Sequence, residues 1–370
     1  MTMPKLPENL TVDILSRLPV KTLSRFKSIS KDFLTYLSDD HFFHQLHRLR
    51  SQKYPFVLSV TFSTEKEPLA TVHISSSDHR GQPINQFAKK IEIESRPVAD
   101  LLPSHHHLVC IASRNNIYIC NPSTEELLPL PPSSVLRKFC PAVGFGYLPS
   151  KKEYKVLKLS YLQVDLDDPN NWVIEAEILT IATPTNNLCE VYFSLWRVLE
   201  ERCPYVVEGP SVFVNGFVHW KIHKNPGWVQ IRGGDERILS FNLEEEKFQT
   251  LPPPLSVTGY DSEFELAGIR GNLWLVEYTH ESFVMELWVL KDWENPLWKR
   301  ECRIDCRTIG KDIGARMMHP LDFQNAEEIL FRVDEFGLIR YNVKNKTYSD
   351  LREEKSSFRF CYYTDGFLPF

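Results

Sequence analysis

The chain has no run approaching the roughly 18 apolar residues that a membrane-crossing helix needs, so no membrane is expected among its partners. Its first residues, Met1-Thr2-Met3-Pro4-Lys5, hold no apolar signal region, and nothing points to secretion. Cytoplasm, nucleus or both are the expected location. A surplus of positive charge is also missing: 43 Lys plus Arg stand against 48 Asp plus Glu, a formal charge of -5. That balance argues against general nucleic-acid binding, which requires a strongly basic face. Eight cysteines, at 110, 120, 140, 189, 203, 302, 306 and 361, include no CxxC pair, which weakens zinc and thioredoxin-like readings. In a chain without a secretion signal they read as reduced, mostly buried thiols.

Catalytic motifs are scarce too. Gly144-x-Gly146 is too short for a dinucleotide fingerprint, and Gly233-Gly234-Asp235 reads as a turn. There is no GxSxG elbow and no HExxH helix. His105-His106-His107 follows Leu101-Leu102-Pro103-Ser104; consecutive residues of an extended segment point to opposite faces, so an exposed loop is expected rather than a metal site. Cys302-x-x-x-Cys306 follows a strand-rich stretch without nearby His, and Asp167-Asp168 sits in a polar, turn-rich segment. No catalytic residue, metal or cofactor is assigned.

What the chain does hold is apolar residues at 42%, aromatics at 12% and 25 prolines against 15 glycines. The mixture fits many short strands with sharp turns. A sizeable core can be buried, so this is not a disordered tail.

Residues 1–50 read differently, as short helices. Leu6-Pro7 opens the segment, Leu10, Ile14 and Leu18 recur at four-residue spacing with Leu15 beside them, and Pro19 stops the helix. Leu23, Phe26 and Ile29 form the next stripe, Phe33, Leu34 and Leu37 another, and Phe42, Phe43, Leu46 and Leu49 the last. So small a bundle cannot hide that many large apolar side chains, and contiguous exposed apolar surface marks a partner site. Lys21, Arg25, Lys27 and Lys31 carry four positive charges with no acid between them, which suits an acidic partner.

Leu6-Pro7-x-x-Leu10-x-x-x-Ile14-Leu15-x-Arg17-Leu18-Pro19, with Leu23, Arg25-Phe26-Lys27, Ile29-Ser30-Lys31 and Phe33, resembles an F-box. The resemblance implies docking to the adaptor Skp1 of a cullin-RING ubiquitin ligase. Position by position, it points to Leu6, Pro7, Leu10, Ile14, Leu15, Leu18, Pro19, Leu23, Phe26, Ile29 and Phe33 as the docking residues. Phe33 stands where a Trp is common, which keeps an aromatic plug but loses the indole N–H.

From about residue 54 the periodicity becomes two. Phe56–Phe62, Leu108–Ile111, Ile117–Cys120, Tyr154–Leu159, Val212–Val214, Phe217–Trp220, Leu273–Val276 and Leu287–Leu290 read as strands. Asn215-Gly216 and Gly271-Asn272 read as hairpin turns. An internal repeat decides the architecture. Asn121, Asn242 and Asn342 each follow a strand and lead, six residues on, to Leu127, Phe248 and Tyr348; Asp292 leads likewise to Trp298. Asn and Asp suit a turn opening because their side chains bond the backbone two residues ahead. Trp196, Phe248, Trp298 and Tyr348 lie 52, 50 and 50 residues apart, and a polar insertion over 165–172 separates Leu127 from Trp196. A period of about 50 is that of a kelch-type propeller blade.

The expected fold is therefore α+β and multidomain: a helical domain over 1–50, then a mostly β, irregular propeller of five or six blades over 54–370. The strand at 358–363 would pair with the strand at 56–62 and close the ring. A two-sheet sandwich is the competing architecture. Asn121-Pro122-Ser123-Thr124, Gly144-Phe145-Gly146-Tyr147, Gly216-Phe217-Val218-His219-Trp220 and Ile238-Leu239-Ser240-Phe241-Asn242 resemble the F-box-associated interaction domain of plant F-box proteins. The two resemblances together imply a non-catalytic substrate-recognition subunit of a Skp1-cullin-F-box ligase, with the propeller holding an unidentified target. Trp196, Trp220, Trp274, Trp288 and Trp298 read as packing residues. Trp172, Trp228 and Trp293 sit in turn-rich contexts and are the candidate target anchors. The rival readings are a propeller hydrolase or metal oxidase with a helical appendage, and an F-box scaffold acting without ubiquitin.

Overall fold

A computed structural model of the chain describes residues 7–29, 31, 37, 41–53, 56–66, 69–77, 83–92, 100–103, 106–113, 116–133, 141–163, 172–182, 192–223, 237–257, 263–279, 283–307, 309, 318–323, 327–333, 337–351 and 359–364. The helices described over their whole length lead: α1 (Glu8–Leu15), α2 (Val20–Lys27) and α3 (His41–Lys53). Six sheets follow, each with its strands in antiparallel neighbour order.

Blade one takes β25 (Arg359–Tyr363) from the C-terminal end as its first strand. It then runs through β1 (Phe56–Lys66), β2 (Leu69–Ser77) and β3 (Pro83–Glu92). Phe56 pairs with Tyr363 and Val60 with Arg359, so the first and last strands share one sheet and the ring closes as expected. Blade two is β4 (Asp100–Pro103), β5 (Val109–Ala112), β6 (Ile117–Asn121) and β7 (Glu126–Pro129). Blade three is β8 (Ala142–Leu148), β9 (Glu153–Gln163) and β10 (Val173–Ala182), with its outermost strand broken into β11 (Tyr192–Phe193) and β12 (Arg197–Val198). Blade four is β13 (Val207–Val214), β14 (Phe217–Ile222), β15 (Ile238–Asn242) and β16 (Lys247–Leu251). Blade five is β17 (Glu263–Ile269), β18 (Asn272–Thr279), β19 (Val284–Asp292) and β20 (Leu297–Asp305). Blade six is β21 (Met318–Phe323), β22 (Glu328–Val333), β23 (Gly337–Asn342) and β24 (Thr347–Asp350). The result is a six-bladed β-propeller.

The repeat read from the sequence is the turn between the third and fourth strand of a blade. Asn242 Oδ1 accepts the N–H groups of Glu244 and Glu245 at 2.9 and 3.1 Å, and Asp292 Oδ1 those of Glu294 and Asn295 at the same distances. Asn121 accepts from Ser123, and Asn342 from Asn345. The bulky residue that follows lands opposite the residue before the Asn in three blades, Leu127 opposite Cys120, Phe248 opposite Phe241 and Tyr348 opposite Tyr341, while in blade five a bulge shifts Trp298 opposite Leu290. Trp196 departs from this pattern, because it falls in the break between β11 and β12. Its indole N–H still donates to Pro131 O at 2.7 Å, as that of Trp298 does to Pro252 O at 2.9 Å. Both bind the end of the preceding blade.

Asn215 and Gly216 both have positive φ, 50° and 84°, as the expected two-residue hairpin turn requires. In blade five the turn sits one residue earlier than expected. Arg270 and Gly271 carry the positive φ values, and Asn272 already opens β18.

Cohesion comes from blade-on-blade packing. One apolar cluster joins blades three and four through Leu157, Ile178, Trp220 and Phe241, and others join blades one and two, two and three, four and five, and five and six. The glycines of Gly144-Phe145-Gly146-Tyr147 permit the closest of these approaches. A Cβ on Gly144 would meet Val218 and Trp220 at 2.6 and 2.9 Å, and one on Gly146 would meet the Phe213 ring at 2.2 Å. The motif is thus a packing device. A buried ion pair also lies in blade three: Lys158 Nζ is 2.5 Å from Glu177, both side chains fully buried, with Ser133 donating to the same carboxylate.

Candidate functional site

Antiparallel order fixes two ends for every blade. Turns between first and second strands, and between third and fourth, lie at one end of the ring; the remaining connections lie at the other. The helical domain leads into β1, the second strand of its blade, and so sits at the first end. Lys21 bears this out, donating at 2.6 Å to both Asn85 on β3 and Glu125 in the turn before β7. One of the four cations expected to face a partner is therefore engaged by the propeller.

Within the helical domain, Pro7 O accepts the N–H groups of Leu10 and Thr11, and Pro19 O those of Thr22 and Leu23, so each proline starts a helix. α1 ends at Leu15 rather than at Pro19; Ser16–Leu18 form a turn. Arg50 ties α3 back onto α1 through the Asp13 carbonyl at 2.7 Å and the Asp13 carboxylate at 2.5 Å. Hydrogen bonds from Arg17 and Arg50 hold the Asp13 carboxyl below its ordinary range.

The fold sorts the eleven expected docking residues into three groups. Leu10, Ile14 and Ile29 are 47%, 48% and 64% exposed, and Pro7 is exposed as well. Leu18 and Phe26 are half-buried against the helical core, and Pro19 is half-buried too. Leu15 and Leu23 form the third group. They are buried with Leu37 and Phe43 as the core of the domain, because their positions on α1 and α2 face each other. Leu6 and Phe33 lie outside the described residues. Phe42 and Leu49 on α3 are exposed and were not among the expected docking residues; the apolar surplus of the segment was their signal. None of the exposed apolar side chains is covered by the propeller strands.

The candidate target anchors do not form one face. Trp172, at the connection between β9 and β10, lies at the end away from the helices, half-buried against the core between blades three and four. Trp293, between β19 and β20, lies at the helical end, its ring 5.9 Å from Phe217 and 5.3 Å from His219. Trp228 lies outside the described residues. Trp220 and Trp274 are buried as expected, and Trp196, Trp288 and Trp298 are half-buried.

The histidine run is not the exposed loop expected of it. His107 is buried, and Tyr154 Oη lies 2.8 Å from His106 Nδ1 and 3.0 Å from His107 Nδ1. Burial holds His107 far below its ordinary pKa. His105 lies outside the described residues, as do Asp167 and Asp168. Among the described residues no three His, Cys, Asp or Glu side chains are grouped for a metal ion. The six described cysteines are free thiols; Cys302 and Cys306 lie on and after β20, not on a helix, and burial pushes Cys306 up to about 12.

Residues 57–357 match the F-box associated beta propeller domain. Two F-box proteins of Arabidopsis thaliana are 25% and 26% identical to the chain, the first over 96% of this chain and 92% of its own length, the second over 94% and 87%. A third is 27% identical over 80% of this chain and 69% of its own length. Among solved structures, an oligogalacturonate lyase in complex with manganese aligns with 80% of this chain and 78% of its own at 11% identity and a TM-score of 0.42, too distant to bear on function.

Proposed function

Because the chain belongs to the F-box-associated β-propeller family of plant F-box proteins, we propose that it is the substrate-recognition adaptor of a Skp1-cullin-F-box ubiquitin ligase. In this reading the helical domain docks Skp1 and the propeller holds a target protein. The observation that carries it is the exposed apolar set Leu10, Ile14, Ile29, Phe42 and Leu49, on a domain whose described core is four side chains. So many exposed large apolar side chains on so small a domain mark a partner site.

No nucleophile is required of this subunit. Ubiquitin transfer is accelerated by holding the target near the charged ligase, and tethering over short spans gives effective concentrations of roughly millimolar. Lys21 fastens the helical domain to blades one and two, so a target on the ring keeps a set orientation toward the adaptor. Cytoplasm and nucleus are both compatible compartments.

The test is a pull-down of the full chain with purified Skp1-type adaptor. Leu10→Asp with Ile14→Asp should remove binding while the propeller's thermal transition stays in place. Retention of adaptor by the double variant at the wild-type level rejects the reading.

A further inference from the structure

The propeller axis holds a cavity of about 430 Å³ lined by the innermost strands. Its walls run along β4, β13, β17, β21 and β25, with Lys221 of β14, Val276 of β18 and Arg332 of β22 beside them. Its acidic and basic lining groups, Asp100, Glu208, Glu265, His319, Lys221 and Arg332, stand toward the strand ends away from the helical domain, on the face that the helices leave clear. β13 carries a bulge between Glu208 and Val212, and Gly209 there has φ +74° with open space around its Cβ position.

Three acids on three innermost strands meet at this mouth: Asp100, Glu208 and Glu265. Two have basic side chains as partners. Glu208 lies 2.6 Å from Lys221, and Glu265 bonds His319. In each pair the carboxylate is the more accessible member, 32% exposed against 18% for Lys221 and 34% against 15% for His319. Lys221 and His319 therefore stand behind their acids, and a ligand arriving at either pair meets carboxylate oxygens first. A carboxylate has about four lone-pair sites and can accept a second donor while keeping the first. Phe360 and Tyr362 supply aromatic wall, the surface on which the alkyl stem of a long basic side chain packs. At the same end of the ring Leu255 and Phe283 are exposed.

We propose that this mouth binds a guanidinium or ammonium side chain presented on a peptide segment of the target, with Glu208 and Glu265 as its ion-pair partners. The proposal rests on the adaptor reading for its occupant, but not for its chemistry.

Fluorescence anisotropy of the full chain tests it with labelled, end-capped pentapeptides bearing arginine, citrulline or glutamate at the centre of a Gly-Ala-x-Ala-Gly frame. The arginine peptide should bind at least tenfold tighter than the citrulline and glutamate peptides. Glu208→Gln with Glu265→Gln should abolish that difference while retaining adaptor in the pull-down. Absence of arginine-peptide binding, equal affinity for arginine and citrulline, or an undiminished preference in the folded double variant overturns the proposal. The wild-type comparison of arginine with citrulline decides the matter even if the variant fails to fold. Unlabelled arginine amide is added as competitor: displacement only at concentrations tenfold above those of the unlabelled pentapeptide supports a peptide occupant, and equal potency overturns it. Loss of peptide binding with adaptor binding intact refutes this site alone, and the converse refutes the adaptor reading alone.

Discussion

The helical segment and the propeller solve the burial problem in opposite ways. The propeller closes its ring by pairing β1 with β25 and seats apolar clusters between successive blades, so strand edges and apolar faces find partners inside the same chain. The helical domain buries Leu15, Leu23, Leu37 and Phe43 and leaves Leu10, Ile14, Ile29, Phe42 and Leu49 outside. Among the described residues the propeller leaves as many large apolar side chains exposed, Leu195, Val198, Leu255, Phe283 and Leu297, but over a stretch some six times longer. The contrast teaches that substitutions in the two regions should separate: propeller changes alter stability, and helical-surface changes alter docking.

The largest effect expected is Lys158→Ala, which strands the Glu177 carboxylate in the blade-three interior. Breaking a buried pair in this way costs about 3–5 kcal/mol, read as a fall in urea midpoint by tryptophan fluorescence, with adaptor binding of the folded fraction unchanged. Replacing both partners together (Lys158→Met with Glu177→Leu) should recover most of that loss. A single variant as stable as the wild type would show that this blade does not depend on the pair.

Next comes the helical surface. Leu10→Ala with Ile14→Ala should weaken adaptor binding by about 10-fold or more, since hot-spot side chains contribute roughly 1–2 kcal/mol each or more. Leu23→Ala should instead lower the stability of the helical domain itself by about 2–5 kcal/mol, visible in helical circular dichroism. If Leu23→Ala impaired docking without loss of helicity, the division between core and docking residues would be wrong.

A pH dependence sharpens the propeller side. Burial pushes His219 down to about 3 and His107 well below its ordinary value. The unfolded chain takes up both protons near pH 6.5, while the folded chain does not. Stability is therefore fully present above pH 6.5 and falls as the pH drops below it, by about 1.4 kcal/mol per unit for each histidine. Glu277 and Asp322, whose carboxyls burial pushes up, act in the opposite direction only where carboxylates titrate, so pH 7 to 5.5 is the window to read. Melting temperatures should decline across it, less steeply in His219→Gln; a flat wild-type profile contradicts the assignment.

The smallest effect is Asn242→Ala, which removes the acceptor for two backbone N–H groups in an exposed turn. A loss of about 1 kcal/mol is expected, measured by thermal melting.

Much of this was legible in the chain. Spacings of about 50 residues between bulky positions, each after an Asn or Asp, marked the third-to-fourth-strand turns, because a side chain bonding its own backbone is a local event. Asn215-Gly216 was readable for the same reason. The Arg270-Gly271 turn was misplaced by one residue, since Gly-Asn satisfies the same propensities and only pairing with β17 chooses the register. That Leu15 and Leu23, named by the resemblance, pack in the helical core was not legible, because a stripe says which residues share a face, not which neighbour covers it. The acids at the axis were invisible: Asp100, Glu208 and Glu265 lie far apart in sequence and share nothing until the ring closes.

By itself the sequence determined the order of parts, a helical apolar segment followed by repeating strands and local turns, since periodicity and turn chemistry act within a few residues. Tertiary structure alone decided the count of six blades, the face on which the helices sit, and which leucines are core. Those outcomes depend on contacts between residues tens to hundreds of positions apart, whose geometry exists only once blade one has been completed by the last strand.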